Sequence, residues 1–213
     1  MAIDEETFNT WNSVGKLYEE KFMHLDIYNP TYDTFLNLLP SSNATILDIG
    51  CGPGNISNYL YNLKSGLKIT GIDMSPNMIE LAKNNIPYAD FKVLDIQNIH
   101  KLTSLFDGIV AGFCIPYLCY NDVSDFLEKL GNIISEKGIF YLSFVEGDYN
   151  NSGYLSSSNG MRAYFYYYST NMVTALLVKY QFNILHIETI DYENSASEKH
   201  IVIISKENKS FNL

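Results

Sequence analysis

Residues 46–57 read ILDIGCGPGNIS. With Thr45 in front, TILDI at 45–49 is apolar and rich in β-branched side chains, as a buried strand would be. Gly50, Gly52 and Gly54 follow in G-x-G-x-G spacing, and residues 54–63 suit a helix. Glycines between a strand and a helix let the chain turn sharply and let a ligand approach where a Cβ would collide. A glycine-rich turn alone is a weak signal; its place between strand and helix gives it weight.

The alternation continues outward from this turn. KITGID at 68–73 reads as a second strand, FKVLD at 91–95 as a third, FDGIVAGF at 106–113 as a fourth and GIFYLSF at 138–144 as a fifth. SPNMIELAKN at 75–84 reads as a helix, with Ser75 as N-cap, Pro76 at the first helical position and Glu80 nearby. Asp122 to Ile134 places Val123, Phe126, Leu127 and Leu130 on one helical face. Strands alternating with helices predict an α/β fold, a Rossmann-like doubly wound sheet, mostly parallel, with right-handed crossovers. The tail departs from this. A helical 170–180 is followed by FNILHIETIDY at 182–192, polar ENSASEK, and HIVIIS at 200–205, which reads as an antiparallel hairpin at the sheet edge. Residues 1–40 are expected to form an N-terminal helical cap rich in aromatics. Residues 41–213 then form the ligand-binding domain, with an insertion at about 145–169 that ends in YFYYYS.

Three carboxylates stand at or near the carboxyl ends of successive strands: Asp48, Asp73 and Asp95. Asp73 lies 19 residues after Gly54, where an acid accepts hydrogen bonds from both ribose hydroxyls in nucleoside sites. One such acid alone is as readily a cap of the next segment; three shift the balance toward a ligand site. The dinucleotide fingerprint G-x-G-x-x-G is broken, because Asn55 holds its last place. Asp48 just before the turn would repel a pyrophosphate and suits a cationic ligand.

Bulk properties exclude other classes. The chain has 213 residues and a net charge of −10, which disfavours nucleic acid and anionic membranes as partners. No apolar run reaches the length of a membrane span, and MAIDEETFNTWN lacks the apolar core of a signal peptide. Cys51, Cys114 and Cys119 show neither metal-ligand spacing nor a pairing pattern, so no metal is expected and a reducing, cytoplasmic setting is. Cys51 is read as a small loop residue whose thiol need not react, since nearby Asp48 disfavours the thiolate.

These residues resemble the class I S-adenosylmethionine-dependent methyltransferases, small-molecule type. The resemblance runs from about residue 10 to 205. It is carried by ILDIGCGPG and GIDMSPNMIELAK, and more loosely by LDIQNI at 94–99 and FDGIVAGFCIPYL. It implies S-adenosylmethionine as cofactor, a seven-stranded sheet ending in an antiparallel hairpin strand, and methyl transfer to an O, N or C nucleophile by in-line displacement. It also implies that Asp48, Gly50, Cys51 and Gly52 run along the methionine part, with Gly54 among the cofactor-binding residues. Asp73 and Met74 would hold ribose and flank adenine, Asp95 and Ile96 would border adenine, and Gly112 and Phe113 would lie under the sulfonium. Tyr18 and Tyr28 would close over the cofactor. One departure is that Gln181-Phe182 stands where similar proteins often have Gly-Phe. A non-catalytic module that binds the cofactor or activates a partner remains an alternative, and so does a nucleotide-dependent oxidoreductase.

The acceptor side is thinly written. Tyr28, Tyr117, Glu146 and Tyr166 are the candidates for substrate contact. Alternation places Tyr164, Tyr166 and Tyr168 on one face of an extended segment, either lining a pocket or covering the sheet. An aromatic cage in an acidic chain would attract an amine or cation. No general base stands out. His24 and His100 read as surface residues, His186 and His200 as structural residues of strands. The acceptor, the atom methylated and the oligomeric state are not legible.

Overall fold

In a computed structural model, residues 5–157, 160–192 and 198–208 are described. Three helices, α1 (Glu5–Ser13), α2 (Gly15–Phe22) and α3 (Asn29–Leu38), precede the first strand. Then follow β1 (Thr45–Ile49), α4 (Asn55–Leu63), β2 (Lys68–Asp73), α5 (Pro76–Asn85), β3 (Asp90–Val93) and β4 (Phe106–Gly112). The chain continues through α6 (Tyr120–Leu130), β5 (Ile134–Val145), β6 (Gly153–Ser156), β7 (Arg162–Phe165), α7 (Thr170–Lys179), β8 (Phe182–Asp191) and β9 (Lys199–Glu207).

Seven strands form one sheet in the order β3-β2-β1-β4-β5-β9-β8. The first five run parallel, and β9 is antiparallel to both β5 and β8. The sheet is covered on both faces, and the two-residue period of each strand divides the core accordingly. On one face Leu47, Ile49, Ile109, Phe140, Leu142 and Ile203 pack with Val123, Phe126, Leu127 and Leu130 of α6 and Val173, Leu176 and Leu177 of α7. On the other, Ile46, Val110, Tyr141, Val202 and Ile204 pack with Tyr32, Phe35 and Leu36 of α3 and Ile56 and Leu60 of α4. The doubly wound, mostly parallel sheet with a C-terminal hairpin is thus the fold expected.

Boundaries differ in three places. The third strand ends at Val93, so Asp95 lies beyond it and caps a 3-10 turn over Ile96–Lys101, its Oδ1 accepting from Gln97 N at 2.8 Å. The helix expected to reach residue 134 stops at Leu130, and β5 starts at Ile134, where Phe106 is its partner across a bulge. The hairpin's inner strand is the later one. β9 is buried almost throughout and lies between β5 and β8, whereas β8 alternates and exposes Leu185 and Ile187. Most of ENSASEK, residues 193–197, lies outside the described residues.

The segment 145–169 makes its own two-stranded sheet, with β6 antiparallel to β7. Helix α1 grips it. Thr7, fully buried, accepts from Tyr164 N at 2.8 Å, Thr10 Oγ1 donates to Arg162 O at 2.6 Å, and Arg162 meets the Glu6 carboxylate through two nitrogens at 2.8 and 2.9 Å. At its far end, Asn12 Oδ1 accepts from Ser75 Oγ and its carbonyl accepts from Asn77 Nδ2. So α1 bridges the β6–β7 pair and the start of α5. Among the described residues no helix is long and apolar enough to cross a membrane.

Candidate functional site

A cleft of about 450 Å³ opens where β1, β2 and β4 end, within the size range of small-molecule sites. Its floor is the glycine turn. Gly50, Gly52 and Gly54 have φ of 64°, 52° and 90°, the left-handed region that favours glycine. Cys51 N donates to Ile72 O at 3.0 Å, and Gly52 N donates to Asp73 Oδ2 at 3.0 Å, so the turn is tied to β2. Asp73 Oδ1 accepts from Ser75 N at 2.8 Å. Each carboxylate oxygen of Asp73 thus accepts one backbone bond and keeps a lone pair for the cleft. Burial raises the Asp73 carboxyl above its ordinary range, and the Ser75 and Gly52 N–H groups pull it back.

Asp48 does not reach the cleft surface. It lies beneath the turn, almost wholly buried, and Oδ2 accepts from Ser57 Oγ at 2.7 Å at the first turn of α4. Burial pushes its carboxyl up to about 7, against the Ser57 hydrogen bonds. Its Oδ1 is buried with no hydrogen-bond partner, and so is Nε1 of Trp11 in the cleft wall. An unmatched buried carboxylate oxygen behind a carboxylate-edged turn fits a ligand carrying positive charge and does not fit a pyrophosphate. The Cys51 thiol is pushed up by burial first and by Asp48 second, which keeps it neutral as expected.

The structure brings together most of the residues singled out for the cofactor. Tyr18, Gly50, Cys51, Gly52, Asp73, Met74, Asp95, Ile96, Gly112 and Phe113 all line the cleft; Asp48 and Gly54 do not. Phe113 holds a left-handed backbone, φ 52°, unusual for an aromatic residue. Its N–H donates to Ser143 at 3.1 Å, and the strain aims its ring into the cleft.

The acceptor candidates divide. Tyr28 and Tyr117 line the cleft; Glu146 and Tyr166 do not. Glu146 Oε1 instead accepts from the Thr170 hydroxyl at 2.7 Å and from its N–H, at the start of α7. Tyr166 stacks on Tyr149 at 5.8 Å, and its N–H donates to Pro116 O. The alternation expected over 164–168 is present, and the covering alternative is the one found: Tyr166 and Tyr168 pack on the core, Tyr164 meets Tyr154 and Tyr166, and Phe165 lines the cleft from the other face. Tyr168 is buried in the core and donates to Leu118 O.

Other cleft residues were not singled out: Trp11, Phe22, Leu25, Tyr192, Glu198 and His200. His200, read as structural, is indeed buried on β9, but it also lines the cleft. Its Nδ1 stands 2.5 Å from Tyr28 Oη and its Nε2 2.8 Å from Glu198 Oε1. His24 and His100 are exposed, and His186 pairs with Glu188 at 3.0 Å on the edge strand.

Known proteins bear on this geometry. A putative methyltransferase of Invertebrate iridescent virus 6 is 37% identical over 137 residues, 64% of this chain and 49% of that protein. The chain spans half or less of the length of the curated relatives it matches first. Among solved structures, an S-adenosylmethionine-dependent methyltransferase from Clostridium acetobutylicum superposes with a TM-score of 0.70 at 17% identity, covering 94% of this chain and all of that one. A Burkholderia thailandensis 1,6-didemethyltoxoflavin-N1-methyltransferase, with 1,6-didemethyltoxoflavin and S-adenosylhomocysteine bound, gives 0.73 at 17% identity over 95% and 88%. These two likenesses are of fold. Residues 40–161, more than half of the chain, match the methyltransferase domain family. That stretch contains the glycine turn, Asp73 and Asp95, and on this match the chain belongs to that family, the class I S-adenosylmethionine-dependent methyltransferases.

Proposed function

We propose that this protein transfers the methyl group of S-adenosylmethionine to a small molecule held in the aromatic half of the cleft. The observation that carries the reading is Asp73. Its two oxygens are fixed by Gly52 N and Ser75 N at the mouth of the glycine turn, with lone pairs left for a pair of vicinal hydroxyls. Gly50, Cys51 and Gly52 would hold the methionine part, Met74, Asp95 and Ile96 the adenine, and Gly112 and Phe113 the floor near the reacting centre. The carboxylates along this wall favour a cofactor with sulfonium and ammonium charges.

S-adenosylmethionine, when bound, supplies an activated methyl group, which leaves the protein with positioning and exclusion of water. Trp11, Tyr18, Phe22 and Leu25 come from α1, α2 and the chain just after α2 and would form the roof. Burial raises the Tyr18 hydroxyl to about 12, so it stays a neutral donor beside Asp73. Phe113, Tyr117, Phe165 and Tyr192 would make the acceptor walls.

Calorimetry with S-adenosylmethionine and S-adenosylhomocysteine, with NADH as control, tests the cofactor assignment on wild type and Asp73→Ala. Saturable binding of the first two is expected, weakened by about 100-fold or more in the variant, since two hydrogen bonds to a charged acceptor are worth about 1.5–3 kcal/mol each. Binding of NADH alone, or of nothing, would overturn the reading.

A further inference from the structure

One group of polar side chains in the cleft stands outside the set assigned above to the cofactor. Tyr28 begins α3, His200 lies on β9, and Glu198 immediately precedes β9; all three line the cleft. Tyr28 Oη, His200 Nδ1, His200 Nε2 and Glu198 Oε1 form a continuous chain with steps of 2.5 and 2.8 Å. Its direction follows from its members. A carboxylate only accepts, so Nε2 of His200 carries the proton toward Glu198; in the neutral ring Nδ1 then accepts, and Tyr28 must donate to it. Burial pushes the Tyr28 hydroxyl well above the ordinary phenol range, so Tyr28 keeps its proton to donate.

The neighbours lock this arrangement. The Phe113 ring stands 5.2 Å from Tyr28 and 4.9 Å from His200, and Tyr192 stacks on His200 at 4.9 Å. Tyr28 and His200 are 172 residues apart in sequence, so the fold, and no local turn, brings them together. Any buried imidazole needs partners for its ring nitrogens; what sets this one apart is that both of its partners, like the ring itself, line the cleft.

We propose that Tyr28, backed by His200 and Glu198, takes the proton of the acceptor, and that the acceptor is an uncharged, flat ring bearing a phenol-like hydroxyl. This rests on the methyltransferase reading above. The proton of the acceptor hydroxyl passes to Tyr28 Oη while the proton of Tyr28 passes to His200 Nδ1. The resulting imidazolium is held by Glu198, and Tyr28 ends neutral. The electron pair of the broken O–H bond stays on the acceptor oxygen and makes the new O–C bond; the pair of the methyl–sulfur bond stays on sulfur as the thioether. Carboxylate acceptors have no use for such a relay, because they arrive ionised, and here they would face Asp73, Asp95 and Glu198. The ring is asked for by the walls, which are Phe113, Tyr117, Phe165 and Tyr192. Tyr28 touches the acceptor and relays its proton, His200 is the base that keeps it, and Glu198 is the positioning residue that holds the imidazolium.

The test uses labelled S-adenosylmethionine with two probes, 4-methylphenol, which keeps its proton at pH 7.5, and 4-nitrophenol, which is largely ionised there. Wild type is expected to methylate both. In Tyr28→Phe, kcat for 4-methylphenol should fall by about 100-fold or more, with KM changed less than about threefold and 4-nitrophenol nearly unaffected. Glu198→Gln, which leaves the core untouched, should show the same split, smaller. In ¹⁵N-histidine spectra of the cofactor-bound protein, His200 should be the neutral tautomer with hydrogen on Nε2. Equal loss on both phenols, hydrogen on Nδ1, or no phenol methylated by a protein that binds the cofactor would overturn the proposal. Calorimetry on the same samples separates this from failure of the cofactor assignment, with which the proposal would also fall.

Discussion

Asp48→Asn should change the stability of the cofactor-free protein in a way that reverses with pH. Asp48 is buried under the glycine turn, with Oδ2 bonded to Ser57 and Oδ1 unpartnered. Its carboxyl rises from 3.8 to about 7 on folding, chiefly through burial. A raised carboxyl means that the native state keeps its proton longer than the unfolded chain does. Stability is therefore lost as pH climbs from about 4 through 7. At about 1.4 kcal/mol per unit, the cost is about 1 kcal/mol at pH 4.5 and about 4 kcal/mol at pH 8. Asparagine carries no such dependence, but its amide NH₂ takes the unpartnered place, which costs about 1–3 kcal/mol at every pH. Urea unfolding of both proteins should find the variant equal or less stable at pH 4.5 and more stable at pH 8. The difference should move by about 3 kcal/mol between the two. Other titrating groups cancel in the comparison, apart from Asp73, which couples to Asp48. A stability difference that stays flat across that range would mean that Asp48 does not carry the burden its burial implies.

Gln181 follows α7 with φ 63°, in the left-handed region, at the place where similar proteins often have glycine. Gln181→Gly should raise the unfolding free energy measured in urea by up to about 1 kcal/mol. Gly54 has φ 90°, and a Cβ there would stand 2.5 Å from Ile86 Cδ1, so Gly54→Ala should destabilise by about 2–3 kcal/mol in the same assay. Thr7→Val keeps the shape of a fully buried residue but leaves Tyr164 N without its hydroxyl acceptor. It should cost about 1–3 kcal/mol and speed limited proteolysis between residues 145 and 169.

The sheet was readable because a parallel sheet buried on both faces writes its strands as short apolar runs, and 45–49, 68–73 and 106–113 are such runs. The cofactor half of the site was readable for a related reason: the turn and the strand ends are contiguous stretches, so spacing alone brings Gly50, Asp73 and Gly112 to one edge. Asp95 was placed too early on the strand because nothing in FKVLD marks where pairing stops. The acceptor half draws on residues 11, 28, 165, 192, 198 and 200, which no local pattern unites. At 164–168 the two-residue period was right, yet periodicity does not say which face meets the core and which the cleft; Tyr166 and Tyr168 take the core and Phe165 the cleft. His200 had one usable signal. Glu198 stands two residues before it, and that spacing puts both side chains on the same face of an extended segment.

The position of β9 also governs the order in which the molecule can be finished during synthesis. β9 is the last of the described strands but sits inside the sheet, hydrogen-bonded to β5 from Ile139↔Lys206 to Val145↔His200. A nascent chain that has not yet released residues 199–207 therefore presents β5, with Phe140, Leu142 and Phe144, as a bare sheet edge open to other strands. It also has no His200. The glycine turn and Asp73 can assemble well before that point. Vectorial folding would thus complete the nucleoside end of the cleft first and its proton-accepting end last, in the same step that closes the aggregation-prone edge.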